Sequence, residues 1–469
     1  MFDQTKVTEA IQQVVEKQGL AGVSVCVKGP EGTVYEHCFG TRDINRSIPV
    51  DRDTVFGIAS MSKSICALAV CLLQAEGKLS VDDPVIKYFP QFSVPGNPRD
   101  AVTLRHLAQH TSGIPPMETL EWSIAMNSVR HDCEWRREML TTAPNKMETI
   151  EQVIDYVAHN PYKTVGAPGE HMSYSNEGYA ILSYVVDQAA GMPLEQYCME
   201  RIFKPLGMTR TMLADRVEDA LPMAGGNIIS LFERDETGEV ADDNWSTMPP
   251  FRGDATVKST APDMAAYYRC LSLNGMHDGK QVLPAAAVEQ LIGDEFPTTP
   301  YDYYCMGLNK FRRFGHVFCE HAGGLHGIAT KGGLLKGEGY GFAVLSNQGD
   351  GDMDDILWIL YSAVLGLPLD TCFRRFEPVD RPFTQPEMLL GHYTGHEGQV
   401  SHVYITLENG VLTGRNSYGA SPMRYCGGTK FLVWEDDAPA PRFRLEFLIR
   451  DGRAWGVRVG TRIFAREEE

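Results

Sequence analysis

The sequence predicts an α+β protein with a smaller all-β second domain, and three observations lead to this. Two β-rich runs, Val23–Val27 and Thr33–Phe39, flank a glycine-containing turn, which is typical of a hairpin. A long apolar helix is predicted from Ser60 to Glu76, ending at Gly77. Beyond residue 386, short β-rich runs alternate with Asn-Gly and Asp-Gly turns. A mixed first domain is therefore followed by an antiparallel sheet or small barrel.

Composition narrows the partners that the protein can have. The chain has 469 residues, 43% of them hydrophobic and 22% charged, as in folded soluble proteins. A formal net charge of −18 repels phosphate backbones and anionic lipid, so neither nucleic acid nor a membrane is an expected partner. No run approaches the roughly 20 apolar residues of a spanning helix. Eleven irregularly spaced cysteines fit inert thiols in a reducing cytoplasm better than disulfides.

The remaining elements divide the chain into domains. Residues 1–16 and 178–206 are predicted to be helical, and residues 117–150 form an insertion near the site. A strand at Gly341–Ser346 and a helix at Ile356–Leu365 close a first domain of residues 1–368. A proline-rich linker, 369–386, precedes a second domain, 387–469. Its predicted strands are 403–407, 411–413, 431–434, 443–449 and 454–459.

Ser60-Met61-Ser62-Lys63 places a hydroxyl at a helix start and an amine three residues later. Both side chains then lie on one helical face, where the amine can activate the hydroxyl as a nucleophile. A serine and a lysine at this spacing occur by chance about once in a chain of this length, and the structural alternative is a serine that only caps the helix N-terminus. The long apolar helix favours a catalytic role, because it would bury Lys63, and burying a lysine is costly unless its charge is paired.

Two further motifs offer matching chemistry. In Tyr174-Ser175-Asn176, the phenol could relay the proton of Ser60 and the amide could bond a substrate amide. His321-Ala322-Gly323-Gly324 precedes a strand, and its glycines allow a substrate to lie against the backbone. A backbone N–H near Gly324, with that of Ser60, would form an oxyanion hole. Each motif alone is close to chance.

Together the three motifs resemble those of serine β-lactamases and penicillin-binding proteins, Ser-x-x-Lys, Tyr-x-Asn and Lys/His-x-Gly. Residues 103–113, 203–208 and 259–261 resemble the class C and D-stereospecific peptidase and esterase branch, over roughly residues 8 to 368. The resemblance implies an antiparallel sheet flanked by helices, an all-helical subdomain and a lipocalin-like C-terminal barrel. It implies roles for the following residues: Ser60 as nucleophile, Lys63 and Tyr174 as the acid and base pair, and Asn176, His321, Gly323 and Gly324 on the substrate side.

His321 departs from the lysine of many β-lactamases. With an ordinary pKa near 6.5, histidine is largely neutral at pH 7, so it offers a hydrogen bond where lysine offers a charge. We therefore expect poor recognition of β-lactam carboxylates. The histidines near 321 and near 396 lack metal-site spacing, and no cofactor or metal is expected. His110 and Ser112 are interpreted as a capping and turn feature.

Two functions follow. The first is a serine hydrolase or acyltransferase that forms an acyl-Ser60 intermediate on a small-molecule or short-peptide amide or ester, acting as a peptidase, amidase or esterase, possibly D-stereospecific. The alternative is a weak penicillin-binding or scaffold protein of the same fold. The natural substrate and the oligomeric state are left open by the sequence.

Overall fold

A computed structural model describes residues 2–128, 134–235, 238–299, 301–373, 377–397, 402–416, 419–433 and 443–467. Its helices are α1 (Gln4–Gln18), α2 (Ser62–Ala75), α3 (Leu104–Ala108), α4 (Thr119–Asn127), α5 (Glu134–Thr142), α6 (Ile150–His159), α7 (Asn176–Ala190), α8 (Leu194–Cys198), α9 (Val217–Ala224), α10 (Arg252–Ala255), α11 (Ala261–Ser272), α12 (Ala285–Gly293) and α13 (Asp354–Leu365).

The strands fall into a first set up to residue 346 and a second set from residue 391. The first set is β1 (Gly22–Gly29), β2 (Gly32–Gly40), β3 (Phe56–Gly57), β4 (Met212–Leu213), β5 (Leu231–Asp235), β6 (Gly238–Asp242), β7 (Val257–Ser259), β8 (Met276–His277), β9 (Lys280–Gln281), β10 (Phe296–Pro297), β11 (Tyr303–Tyr304), β12 (Asn309–Arg313), β13 (His316–Leu325), β14 (Ile328–Leu335) and β15 (Tyr340–Ser346). The second set is β16 (Gly391–Thr394), β17 (His402–Glu408), β18 (Val411–Asn416), β19 (Gly419–Tyr425), β20 (Lys430–Val433), β21 (Phe443–Arg450), β22 (Arg453–Val459) and β23 (Arg462–Arg466).

The main sheet is antiparallel and has eight strands in the order β10-β11-β12-β13-β14-β15-β1-β2. Strand β1, from the start of the first domain, pairs with β15, from near its end, and Val25 lies opposite Val344. One face of the sheet buries α1 and α13, and the other buries α2 and α11. Helix α2 is buried throughout from Ser62 to Leu73, as its apolar sequence predicts.

The second set of strands closes into an eight-stranded barrel, β16 to β23, with Tyr393 of β16 paired with Arg466 of β23. Its apolar interior is a cluster separate from those of the first domain and includes Tyr393, Phe431, Phe447 and Phe464. The predicted α+β class, the antiparallel sheet with flanking helices and the C-terminal barrel are confirmed. The domain boundaries stay a prediction.

Several boundaries differ from the sequence interpretation. Ser60 lies in a 3₁₀ turn, Ala59–Met61, and α2 begins at Ser62. The helix predicted over 178–206 is interrupted, since Gly191 adopts a left-handed φ of 71° and Pro193 follows. The insertion at 117–150 contains α4 and α5 and leads into α6, although its residues 129–133 lie outside the described part.

The barrel has three strands that the sequence analysis missed, β16, β19 and β23. These strands carry glycine or proline, or have arginines at both ends, so their β signal is weak. The predicted strand 431–434 matches β20, with residue 434 outside the described residues. Ten of the eleven cysteines are described, all as free thiols, and seven of them are buried. Among the described residues, no helix has the length and apolarity needed to cross a membrane.

Candidate active site

The backbone presents Ser60 on a constrained turn. Ala59, the residue before it, adopts a φ of 45°, a region that residues with a side chain rarely enter. Two hydrogen bonds hold Ile58, the residue that leads into this turn: its N–H donates to the Val257 carbonyl at 3.0 Å, and its carbonyl accepts from Thr330 Oγ1 at 3.0 Å. Ser60 itself is partly exposed at the start of a buried helix. The Ser60 residue is therefore partly accessible from solvent.

Lys63 brings an ammonium group to the hydroxyl. Its Nζ lies 3.3 Å from Ser60 Oγ, 2.9 Å from Asn176 Oδ1 and 2.9 Å from Asp254 Oδ1. The Lys63 and Asp254 side chains are both 0% exposed. Two of the predicted motifs thus meet at one atom, together with a carboxylate that the sequence analysis missed.

Charge at this pair follows from burial and pairing. Burial lowers the pKa of Lys63, but the attraction of Asp254, with Tyr174, outweighs it and raises the pKa above its ordinary value. Burial raises the pKa of Asp254 to about 7, against the opposing effect of Lys63. Above pH 7 the two groups form a charged pair, and Lys63 donates protons in its hydrogen bonds rather than accepting them.

Tyr174 lies between two cations. The Lys63 Nζ is 4.9 Å and the Arg462 guanidinium carbon 4.5 Å from the centre of its ring. The next residue, Ser175, caps α7 by accepting the Gly178 N–H at 3.3 Å, which places Asn176 in the first turn of that helix. Tyr174 and Asn176 therefore both face Lys63.

The C-terminal barrel contributes directly to this site. Glu397 Oε1 accepts a hydrogen bond from Asn176 Nδ2 at 2.9 Å, and the same carboxylate pairs with Arg462. The Tyr174 N–H donates to the Thr461 carbonyl at 2.9 Å, so the turn between β22 and β23 holds the Tyr174 loop in place. Sequence reasoning missed Glu397 and Arg462. No local sequence pattern indicates that these charged residues contact Asn176 and Tyr174, which lie more than 200 positions earlier in the chain.

The third motif lies on β13, beside the Ser60 turn. His321 is buried, and its ring centre is 6.1 Å from that of Tyr174. A side chain at Gly323 would overlap the Ile58 carbonyl oxygen, whereas one at Gly324 would meet nothing within 4 Å. In the register of the described strands, β12 pairs with β13 only as far as Glu320, so residues 321–325 have β14 on one side alone. This edge of β13 therefore carries backbone groups that β12 does not pair.

The structure therefore gathers Ser60, Tyr174 and Asn176 around Lys63. It places His321 beside Tyr174 and Gly323 against Ile58. Their catalytic and binding roles stay predictions. The described residues contain no group of three or more His, Cys, Asp or Glu side chains placed to hold a metal ion.

Comparison with known proteins agrees with this arrangement. The Beta-lactamase family model matches residues 7–365. Penicillin-binding protein 4* of Bacillus subtilis is 27% identical over 264 residues, covering 55% of this chain and 53% of that protein. Protein flp of Staphylococcus aureus is 26% identical over 211 residues, covering 44% of this chain and 38% of that protein. The chain thus matches about half or less of the length of these curated relatives.

Solved structures resemble this chain in fold, two of them along nearly its whole length. The octameric penicillin-binding protein homologue from Pyrococcus abyssi is 22% identical with a TM-score of 0.67, covering 99% of this chain and 100% of that chain. SurE is 19% identical with a TM-score of 0.73, covering 99% of both chains. A D-stereospecific amidohydrolase from Streptomyces sp. is 20% identical with a TM-score of 0.62, covering 78% and 100%. By its match over residues 7–365, the chain belongs to the beta-lactamase family.

Proposed function

We propose that this protein is a serine hydrolase or acyltransferase that forms an acyl-Ser60 intermediate on amide or ester substrates. The observation that carries the proposal is the contact of Ser60 Oγ with a buried ammonium, 3.3 Å from Lys63 Nζ, at a site that leaves the serine partly exposed. Burying an ion pair costs desolvation free energy that its contribution to stability rarely repays, and here the ammonium of the pair contacts a hydroxyl.

In acylation, Ser60 Oγ bonds to the substrate carbonyl carbon and loses its proton, and the bond to the leaving amine or alcohol breaks. The charged Lys63 cannot accept that proton directly. Tyr174 takes it in this scheme, because its phenol can act as a general base and its ring lies beside Lys63. The proton then passes to the leaving group. Water or an amine next bonds to the acyl carbon as the bond to Ser60 Oγ breaks, and the proton of the attacking group passes through Tyr174 to Ser60 Oγ.

The backbone N–H groups of Ser60 and Gly324 are the proposed donors to the carbonyl oxygen as it becomes negative. Gly323 supports this role, since its lack of a side chain allows β13 to approach the Ser60 turn. Asn176 and the open side of β13 would hold the substrate amides.

The preferred substrate class is an aminoacyl amide, short peptide or ester, with a D-configured acyl donor as the first choice. Support comes from the folds that the chain resembles, which include a D-stereospecific amidohydrolase and SurE with D-Leu. A D-amino acid amidase from Ochrobactrum anthropi is also similar, at 21% identity and a TM-score of 0.59. A panel of D- and L-aminoacyl amides, esters and β-lactams tests this choice.

A fluorophosphonate probe tests the enzyme proposal against the inactive scaffold alternative. We expect a covalent label on Ser60, found by peptide mass spectrometry, and no label on Ser60→Ala. Turnover of Ser60→Ala should fall below about one per cent of the wild-type rate, because losing a nucleophile usually costs far more than a hundredfold. A folded wild-type protein that takes no label and turns over no substrate would favour the scaffold alternative.

A further inference from the structure

A chain of four hydrogen bonds connects the Tyr174 loop to the third motif. The Ser175 N–H lies 3.1 Å from His110 Nδ1, and His110 Nε2 lies 3.1 Å from Tyr304 Oη. Tyr304 Oη lies 3.3 Å from His321 Nε2, and His321 Nδ1 lies 2.6 Å from the Ala322 carbonyl oxygen. Neither His110 nor Tyr304 was identified as functional from the sequence.

The groups at the two ends of this series of hydrogen bonds determine which atom donates in each bond. A backbone N–H can only donate, so His110 Nδ1 accepts from Ser175. A carbonyl can only accept, so His321 Nδ1 carries a hydrogen and donates to Ala322. A neutral imidazole has one donor and one acceptor nitrogen. His110 Nε2–H therefore donates to Tyr304, and the Tyr304 hydroxyl donates to His321 Nε2.

Both imidazoles are neutral, as this direction requires. Burial lowers the pKa of His321 to about 3, with further lowering by Lys63, Lys331 and Arg462, while the Ala322 bond opposes the shift. Burial, together with Lys63, His321 and Arg462, also holds the pKa of His110 well below its ordinary value. The charged groups that shift these two pKa values are cations, which disfavour an imidazolium, and the bonds to Ala322 and Ser175 oppose the lowering without reversing it.

Backbone contacts and burial hold the residues of this series of hydrogen bonds in place. His110 has a left-handed φ of 57° just beyond α3, and its own carbonyl accepts the Ser173 N–H at 2.8 Å. Tyr304 on β11 is 0% exposed, and its ring centre lies 4.9 Å from that of His110. A left-handed backbone conformation is unfavourable for a residue with a side chain, and here it places the His110 ring against the rings of Tyr174 and Tyr304.

We propose that Tyr304 and His110 are positioning residues that fix His321 as one neutral tautomer with both ring nitrogens already bonded. The third motif then offers a substrate neither a charge nor a free imidazole N–H. Resting on the proposed function, this makes His321 a specificity residue that favours scissile amides and esters without a carboxylate at that position. It also refines the sequence expectation that His321 would donate a hydrogen bond to the substrate.

Nuclear magnetic resonance of the full chain tests the tautomers without reference to activity. In protein carrying ¹⁵N-labelled histidine, long-range ¹H–¹⁵N spectra distinguish protonated from unprotonated ring nitrogens. We expect opposite tautomers at pH 7, with hydrogen on Nδ1 of His321 and on Nε2 of His110. His321→Gln and His110→Asn assign the two signals among the 13 histidines. An imidazolium, or a hydrogen on Nε2 of His321, would overturn the proposal.

Tyr304→Phe tests the link between the tautomer and selectivity. The variant removes the O–H that bonds the neutral form of His321, so His321 should titrate at higher pH than in wild type. Because the wild-type pKa of His321 is about 3, the kcat/KM ratio of a carboxylate-bearing substrate to a neutral ester should rise as the pH falls from 5 to 4, by up to about fivefold, the scale of one hydrogen bond, and stay unchanged at pH 8.

Tyr303→Phe is the matched control, since it makes the same change one residue earlier at a less buried position. Equal substrate ratios in Tyr304→Phe and Tyr303→Phe would contradict the proposal. Probe labelling of Ser60 distinguishes a failure of the enzyme proposal from a failure of this inference. A wild-type protein that takes no label contradicts the enzyme proposal. Normal labelling together with the wrong histidine tautomers contradicts this inference alone. Should Tyr304→Phe fail to fold, the wild-type spectra still decide.

Discussion

Asp254 is the residue whose charge sets the state of Lys63. Because burial raises the pKa of Asp254 to about 7, the carboxyl is protonated below that pH and the ion pair is lost. We expect kcat/KM to rise with pH through about 7, as the pair forms. Asp254→Asn should remove this rise, lower activity, and cost about 3–5 kcal/mol of stability, because it leaves a buried charge without its partner.

Glu177→Gln is the control for this pH profile, since burial also raises the pKa of Glu177 to about 7. Steady-state rates from pH 5 to 9 and the free energy of unfolding from urea titration measure both effects. If the rise persists in Asp254→Asn and disappears in Glu177→Gln, the assignment to Asp254 is wrong.

Lys63 and Ser60 should act as one unit. Lys63→Ala removes the ammonium 3.3 Å from Ser60 Oγ, and we expect it to lose nearly as much activity as Ser60→Ala. The double variant should be hardly slower than either single variant, because groups that act together are not additive. Rates for all three measured on one ester decide this, and multiplied losses in the double variant would mean that the two residues act separately.

At the scale of elements, Gly323 sets the distance between β13 and the Ser60 turn. A methyl group there would overlap the Ile58 carbonyl oxygen and Thr330 Oγ1, both held by hydrogen bonds. Gly323→Ala should therefore destabilise the protein by about 2–3 kcal/mol, the usual scale of overpacking.

Gly324→Ala provides the comparison, because a side chain there meets nothing within 4 Å. Its free energy of unfolding should stay within about 0.5 kcal/mol of wild type, as for an unstrained surface change. Thermal and urea unfolding of both variants measure the difference. Equal stability of the two would mean that the approach of β13 to Ile58 is not tight.

The elements also explain which parts of the site could be predicted. Ser60 and Lys63 share one helix start, and Tyr174 and Asn176 share another, so local spacing predicted the members of each pair. That the two pairs meet followed only from the resemblance of the three motifs together, because the pairs are far apart in the sequence. Asp254 and Tyr304 reach the site through tertiary packing between distant elements, which no local period encodes. His110 was visible as a turn residue, but its left-handed φ and its bond to Tyr304 emerge only from the fold.

At the scale of the whole molecule, the two parts have separate cores but share one site. The barrel core draws only on residues from 383 onward, whereas the first domain has its own apolar clusters. Polar contacts between the parts include Ile463 N–H to Ser173 Oγ at 3.1 Å and Asn176 to Glu397 at 2.9 Å, and the rings of Tyr162 and His396 stack with their centres 3.6 Å apart. Folding and catalysis should therefore depend on the barrel to different degrees.

A fragment of residues 1–382 tests this division. Because its apolar cores are complete, we expect it to unfold cooperatively, with the circular dichroism of a folded α+β protein. It lacks Glu397, Thr461 and Arg462, so the Asn176 amide and the Tyr174 loop lose their partners. Labelling of Ser60 should slow at least about tenfold, the rate cost of roughly one lost positioning bond.

The full-length double variant Glu397→Gln, Arg462→Gln is the matched control, since it keeps the barrel and removes only the charged pair. If the pair orients Asn176 and Tyr174, this variant should reproduce most of the loss seen in the fragment while keeping wild-type stability of the barrel core. A fragment that aggregates would instead indicate a core shared across residue 382. A fragment that labels at the wild-type rate would show that the barrel contacts Tyr174 and Asn176 without supporting their chemistry.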